Sequence, residues 1–277
     1  MPELPEVEIV ARSLDKIIRD RKIDEAELRR ERLAPETNPR RFRKLLLGST
    51  INFVHRRGKH VLFDLDNGLT LITHLRMSGK FMLLTTDVPD PKFTHAVFHL
   101  DDGRRLLFQD QRHFGLMKIV KTNELNDARE IKKLGPEPLS DAFSIEYLRA
   151  TLRGCRRTLK EVLLDQTKVC GLGNIYASEA MFLSRANPRT RAFKLSKPKT
   201  ALLFENIRLV LSEAVELGLM MPIVPENIGG SIYGNESEWE WRVYDRENQP
   251  CVSCKSPIRR IVQGGRSTYF CRRCQRG

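Results

Sequence analysis

Proline and glutamate occupy positions 2 and 3, and the opening run MPELPEVEIV sets two prolines and three glutamates around the start of an amphipathic helix. Val7, Val10, Ala11, Leu14 and Ile17 or Ile18 recur at the spacing of one helical face, and Pro5 suits a first turn. Glutamates there complement the helix dipole. Pro2 lies ahead of the helix and becomes the terminal residue if Met1 is trimmed. An N-terminal proline is a secondary amine and so a possible nucleophile. With pKa values near 8 for an α-amine and about 10.4 for lysine, about a tenth of the former is neutral at pH 7, against well under a thousandth of the latter.

A second group points to metal. In CVSCKSPIRRIVQGGRSTYFCRRC, Cys251 and Cys254 are followed after sixteen residues by Cys271 and Cys274. Two C-x-x-C pairs at that separation can offer four thiolates tetrahedrally to one zinc ion. With all four positions filled by protein the zinc is structural, stiffening a small element that has almost no core of its own. The intervening residues predict two short strands, around Ile258 to Val262 and Ser267 to Phe270, turned by Gly264 and Gly265 with Arg266 at the tip: a zinc ribbon. Cys155 and Cys170 are left over and predicted as small core residues.

The whole chain has 277 residues, 40% of them hydrophobic, with 48 Lys and Arg against 35 Asp and Glu, a formal net charge of +13. The length allows one large or two to three small domains. The basic residues are spread in clusters such as Arg40, Arg41 and Arg43, or Arg272, Arg273 and Arg276, and not gathered in one tail. That dispersal suits a phosphate-lined track crossing several elements. No uninterrupted apolar run approaches the roughly 18 residues of a spanning helix, and the acidic start has the wrong polarity for a signal peptide. The expectation is an intracellular, cytoplasmic protein that binds nucleic acid and no membrane.

The elements that must position these residues change character once. From about residue 50 to 121, short alternating apolar runs are punctuated by Asn67-Gly68 and Asp102-Gly103, which predicts an antiparallel sandwich or barrel. After the polar stretch KTNELNDAREIKKLGPEPLS the period becomes helical, in SIEYLRATLRG, TLKEVLLDQ, NIYASEAMFLSRA and TALLFENIRLVLSEAVELG. Within that lobe KVCGLGN joins two helices; Gly171 and Gly173 allow a sharp reversal, and Asn174 can cap the second helix. Backbone donors at such a start suit a phosphate, although the same words describe an ordinary helical hairpin.

MPELPEVE, RRGKHVLFDL, HLRMSG, DQRHFG, LLDQTKVCGLGNIYASEA and the terminal ribbon stand in the order found in the formamidopyrimidine-DNA glycosylase and endonuclease VIII family, which the chain resembles over essentially its whole length, closest to the formamidopyrimidine branch. The resemblance implies an α+β multidomain protein. Its parts are an N-terminal β-sandwich with a leading helix (1–122), a linker (123–139), a helix-two-turn-helix lobe (140–245) and a zinc finger (246–277). It also implies a monomeric, bacterial-type, nucleoid-associated enzyme of base excision repair. Damaged double-stranded DNA would be held in the cleft between lobes, the oxidised base flipped out and removed, and the strand nicked by β,δ-elimination.

By the same resemblance Pro2 is the nucleophile that attacks the sugar C1′ and forms an iminium, and Glu3 is the acid/base beside it. Glu6 matches a further active-site carboxylate, with a first-turn dipole role as the alternative. Lys59 matches the family's essential lysine, binding the phosphate next to the lesion or assisting proton transfer. His74, Asn174 and Arg266 match phosphate contacts, and Met77, Arg112 and Phe114 match the trio that fills the gap left by the everted nucleotide.

Two departures stand out. His113 takes the place of a second arginine, and GGSIYGNESEWEWRVY is shorter than the loop that closes over 8-oxoguanine in typical members and lacks its usual threonine- and aspartate-containing sequence. Formamidopyrimidines and 8-oxoguanine are the expected substrates, with an endonuclease VIII-like preference for oxidised pyrimidines as the alternative. A non-catalytic, zinc-dependent nucleic-acid-binding protein is the remote one.

Overall fold

The computed structural model describes residues 2–229 and 241–276. The chain forms two compact units, Met1–Lys132 with Leu217–Ile232, and Lys133–Glu216 with Tyr233–Gly277.

In the first unit helix α1 (Leu4–Ile18) is followed by β1 (Ile23–Leu28), α2 (Pro39–Leu46), β2 (Ile51–Arg57), β3 (His60–Leu65), β4 (Leu69–His74), β5 (Gly79–Thr85), β6 (Thr94–Leu100), β7 (Arg104–Asp110), β8 (Leu116–Lys121) and the short α3 (Arg129–Lys132). The strands form two four-stranded sheets, in the orders β1-β6-β7-β5 and β2-β3-β4-β8. All neighbours run antiparallel. The architecture is thus a sandwich and not a barrel.

Its core takes Val7, Val10, Leu14 and Ile18 from α1, Phe42 and Leu46 from α2, and Phe63, Phe81, Phe98 and Phe108 from the strands. The Phe63 and Phe81 rings, one from each sheet, meet edge to face at 5.4 Å. Truncating any one of these fully enclosed rings to alanine would cost about 3–5 kcal/mol. The β3–β4 and β6–β7 hairpins turn where expected: Gly68 and Gly103 take φ values of 76° and 79°. The side chains of Asn67 and Asp102 each accept the N–H two residues on, at 3.1 Å. Only glycine adopts that left-handed geometry without strain, which fixes the register of both hairpins.

The second unit contains α4 (Ile145–Arg153), α5 (Leu159–Leu163), α6 (Asn174–Leu183), most of α7 (Lys197–Met220), and the two-stranded ribbon β9 (Arg259–Gln263) and β10 (Arg266–Phe270). Ser144 caps α4 by accepting the Tyr147 N–H at 3.1 Å. Thr158 and Glu161 make a reciprocal capping box at α5. Helix α6 is buried on nearly every side, including Ser178 and Glu179, and has no polar face. Cys170 is fully buried. Cys155 does not enter a core: it is half-buried in the turn that follows Gly154. Burial raises its thiol pKa, but hydrogen bonding to Arg157 outweighs this and holds it below the ordinary value.

Candidate functional site

Glu3 is the N-cap of α1, and its carboxylate accepts the Glu6 N–H. Glu6 Oε2 in turn accepts the Glu3 N–H at 2.8 Å. This box fixes both carboxylates at one helix end, immediately after Pro2, and both are buried, at 2% and 6% exposure. The dipole alternative for Glu6 thus names only part of its work, since the side chain also closes the cap. Lys59 is buried as well. Arg57 pairs with His60, so Gly58 and Lys59 form the two-residue turn between β2 and β3, with Gly58 at a φ of 58°. None of Glu3, Glu6 and Lys59 is without a partner. A buried charge persists only when paired or hydrogen-bonded.

His74 ends β4. Its Nδ1 accepts the Arg76 N–H at 2.9 Å, and its ring meets His60 edge-on at 4.7 Å. Burial, then the neighbouring His60, Arg76 and Lys59, push the His74 pKa down to about 2; burial pushes His60 down to about 4. His74 is therefore neutral, and the bond from Arg76 leaves its proton on Nε2. Such a ring donates a hydrogen bond to an anion without adding charge.

Met77, Arg112 and Phe114 are all exposed, and the Arg112 guanidinium lies 5.2 Å from the Phe114 ring centroid. They come from two turns, after β4 and after β7, joined by Asp110. One Asp110 oxygen accepts Ser78 Oγ and the Arg112 N–H; the other accepts the Gly115 N–H at 2.6 Å. Burial opposes ionisation of Asp110, but the Ser78 hydroxyl and the N–H groups of Gly115, Arg112 and Phe114 hold its pKa below the usual carboxylate value. A Cβ added to Gly79 or Gly115 would meet the Phe108 ring at 2.8 or 2.7 Å, so the two turns close down on that ring. Asp110 was not singled out by sequence; the signal available was an acid preceding three residues of side-chain chemistry in DQRHFG.

In the second unit Asn174 is the first residue of α6, and Gly173 is its N-cap, without a side-chain cap bond. The capping role predicted for Asn174 is corrected: its Nδ2 instead donates to the Ser267 carbonyl at 3.0 Å. Lys160 Nζ, fully buried, donates to the same carbonyl at 3.0 Å. Ser267 adjoins Arg266, which is exposed and pairs with Gln263 across the Gly264-Gly265 turn. Two helices thus fix the height of the ribbon beside its tip. Gln166 and Glu179 were also missed. Gln166 bonds Gly171 N–H and the Leu164 and Leu172 carbonyls, shaping the α5–α6 turn. Glu179 accepts the N–H groups of Arg242, Val243 and Tyr244 at 2.9 to 3.0 Å. The shortened stretch GGSIYGNESEWEWRVY falls mostly on residues 230–240, outside the described residues.

The sulfurs of Cys251, Cys254, Cys271 and Cys274 lie within 4.8 Å of one another. The 3.9 Å between Cys251 and Cys274 and the 3.4 Å between Cys254 and Cys271 bracket the roughly 3.8 Å edge of a tetrahedron with Zn–S bonds of about 2.3 Å. The Cys274 N–H points at Cys271 Sγ at 3.4 Å, a bond that favours the thiolate. The four residues fit one structural zinc.

The Formamidopyrimidine-DNA glycosylase N-terminal domain family matches residues 1–117, the Formamidopyrimidine-DNA glycosylase H2TH domain family residues 134–221, and the family described as a zinc finger found in FPG and IleRS residues 248–277. The formamidopyrimidine-DNA glycosylase of Bacillus licheniformis is 42% identical over 278 residues and covers all of both chains. A complex between wild-type Lactococcus lactis Fpg and DNA containing N7-benzyl-Fapy-dG aligns with a TM-score of 0.90 at 35% identity, covering all of both chains. A complex of the same wild-type protein with DNA containing an oxidised pyrimidine aligns with the same score, identity and coverage. No helix among the described residues is long and apolar enough to cross a membrane. The matched domains and the full-length relative place the chain in the formamidopyrimidine-DNA glycosylase family, base excision repair enzymes that are DNA N-glycosylases with AP lyase activity.

Proposed function

We propose that the chain removes formamidopyrimidines and 8-oxoguanine from damaged duplex DNA and nicks the strand through a Schiff base formed by Pro2. The observation that carries this reading is the reciprocal Glu3–Glu6 box, which sets two buried carboxylates directly behind the residue whose amine would react. The Pro2 nitrogen attacks C1′ and loses its proton as the glycosidic electrons leave with the base; its lone pair then expels O4′, which takes a proton from Glu3 as the sugar ring opens. The resulting iminium is cationic without a further protonation step and acidifies the C2′ proton. Loss of that proton expels the 3′ phosphate, a second elimination expels the 5′ phosphate, and water releases Pro2. Glu6 holds Glu3 through its N–H.

Lys59 binds the phosphate beside the lesion or assists proton transfer. His74, as a neutral Nε2 donor, Asn174 and Arg266 bind the backbone, and Met77, Arg112 and Phe114 occupy the space of the everted nucleotide. Zinc held by the four cysteines stiffens the ribbon that carries Arg266. The sandwich domain spans 1–122, the linker 123–139, the helical domain 140–245 and the zinc finger 246–277. The enzyme works as a cytoplasmic monomer on nucleoid DNA.

A second reading, preference for oxidised pyrimidines, is supported by the Lactococcus lactis Fpg complex with such a lesion. A panel of single-lesion duplexes, each assayed for base release and for nicking, separates the two. Absence of both reactions on every lesion would leave a DNA-binding protein without catalysis.

A further inference from the structure

We propose that His95 is a positioning residue that holds His113 as a neutral, outward hydrogen-bond donor on the turn bearing Arg112 and Phe114. This rests on the reading that the turn meets DNA. His95 Nε2 lies 2.9 Å from the Asp110 carbonyl oxygen and 2.8 Å from His113 Nδ1. A carbonyl can only accept, so His95 Nε2 carries the hydrogen. Burial lowers the His95 pKa from the ordinary imidazole value; the bond to the Asp110 carbonyl opposes this, and the facing His113 and Arg30 add to it. The single N–H is shared between the Asp110 oxygen and His113 Nδ1, so the latter must offer a lone pair.

A proton on His113 Nδ1 would set two N–H groups against each other at 2.8 Å. His113 therefore keeps its hydrogen on Nε2, across the ring from His95, and the residue is exposed. The remaining neighbours of the pair do not relieve this. Phe93 packs edge-on to His113 at 5.5 Å, and the N–H groups of Arg29 and Arg30 are spent on the His95 carbonyl. The Asp110 carboxylate is engaged by Ser78, Arg112 and Gly115. Among the described residues no carboxylate pairs with either ring. His113 sits at a φ of 61°, a conformation held by its N–H bond to the Asp110 carbonyl at 3.2 Å. Where a second arginine would add charge, this chain adds an oriented neutral donor.

Charge and orientation are separable by salt. Each phosphate neutralised by a cation steepens the fall of log affinity with log salt by about 0.9, and a neutral donor does not. The experiment measures that slope for the full chain on a duplex containing a reduced abasic site, at pH 8 and pH 6. His113→Gln should weaken wild-type binding several-fold with the slope unchanged, and His113→Arg should steepen it by about one at both pH values. His95→Phe removes the N–H that His113 Nδ1 accepts, so its slope should steepen between pH 8 and pH 6 by up to about 0.9. His95→Phe with His113→Gln should lose that change. His95→Gln, whose amide can donate separately to the Asp110 oxygen and to His113, should restore wild-type behaviour.

Equal pH responses in wild type and His95→Phe would overturn the proposal. So would a wild-type steepening that His113→Gln removes, or unchanged affinity in His113→Gln while Arg112→Ala weakens binding. If Arg112→Ala were also silent, the reading of the turn itself would fail.

Discussion

The side-chain amide of Asn174, in the first turn of α6, donates to the main-chain carbonyl of Ser267 in β10 at 3.0 Å, across 93 residues of sequence. With Lys160 on the same oxygen, the ribbon is fixed to the helical hairpin at the strand start next to Arg266. The other end of the ribbon is held by the cysteine cluster. Chelating the zinc, or Cys254→Ser, should therefore displace Arg266 while the sandwich stays folded. A lost charge-assisted contact corresponds to about 1.5–3 kcal/mol, roughly ten- to a hundredfold in affinity for lesion duplex. Titration with and without chelator, alongside the thermal transition of the sandwich, measures this; undiminished affinity would contradict it.

His60 and His74 give the fold a pH signature. Their folded-state values, about 4 and about 2, lie below the ordinary 6.5, so the unfolded chain binds protons that the folded chain refuses. Their contribution is fully present above about pH 7. It is lost as pH falls below 6.5, toward 4 for His60 and further for His74, at up to about 1.4 kcal/mol per pH unit for each ring. Urea unfolding at pH 7.5, 6 and 5 should show this decline, and His60→Gln should flatten it. Stability that was level from pH 7.5 to 5 would rule the pair out as neutral in the native state.

Asp110→Ala should be among the costlier substitutions of a polar residue in the first unit. It strands the Gly115 N–H and the Ser78 hydroxyl, and leaves the Arg112 N–H only its 3.1 Å bond to Ser78 Oγ. At about 1–3 kcal/mol for each buried donor left unmet, a loss of 2–4 kcal/mol is expected after partial relaxation. Because the two turns carry Met77, Arg112 and Phe114, base release should fall even at temperatures where the protein stays folded. A variant with wild-type stability and excision would show that Asp110 does not organise the turns.

What was legible in the sequence depended on how local its cause was. The hairpins at Gly68 and Gly103, the buried face of α1 and the cysteine spacing each follow from a few neighbouring residues, and the structure has them. Asn174 was misread because a helix-start asparagine signals a local cap, whereas here its amide is taken by a strand 93 residues away. Asp110, Glu179 and the His95–His113 contact stayed hidden for the same reason. In each a buried polar group, Asp110, Glu179 or His95, has a partner that only folding brings near: Ser78 lies 32 residues from Asp110, His113 lies 18 from His95, and the N–H groups that Glu179 accepts lie 63 to 65 residues on.

Glu3→Gln keeps the Pro2 amine and loses the acid/base. The amide can still accept the Glu6 N–H, so α1 should start normally and stability should change by less than about 1 kcal/mol. Base release should fall by two to four orders of magnitude, as expected for loss of a general acid/base, and elimination at a preformed abasic site should fall less. Equal losses in the two steps would remove Glu3 from the glycosidic step.

The central claim is that the Pro2 amine is the nucleophile, and borohydride trapping on abasic duplex tests it most directly. Two preparations are compared, each with its N-terminus verified by mass spectrometry: one beginning at Pro2, the other retaining Met1, in which the Pro2 nitrogen is an amide with no basic lone pair. Both should fold and bind the duplex, but only the first should form the covalent adduct and nick the strand. Trapping and nicking at full rate by the Met1-retaining protein would contradict the account and turn attention to Lys59.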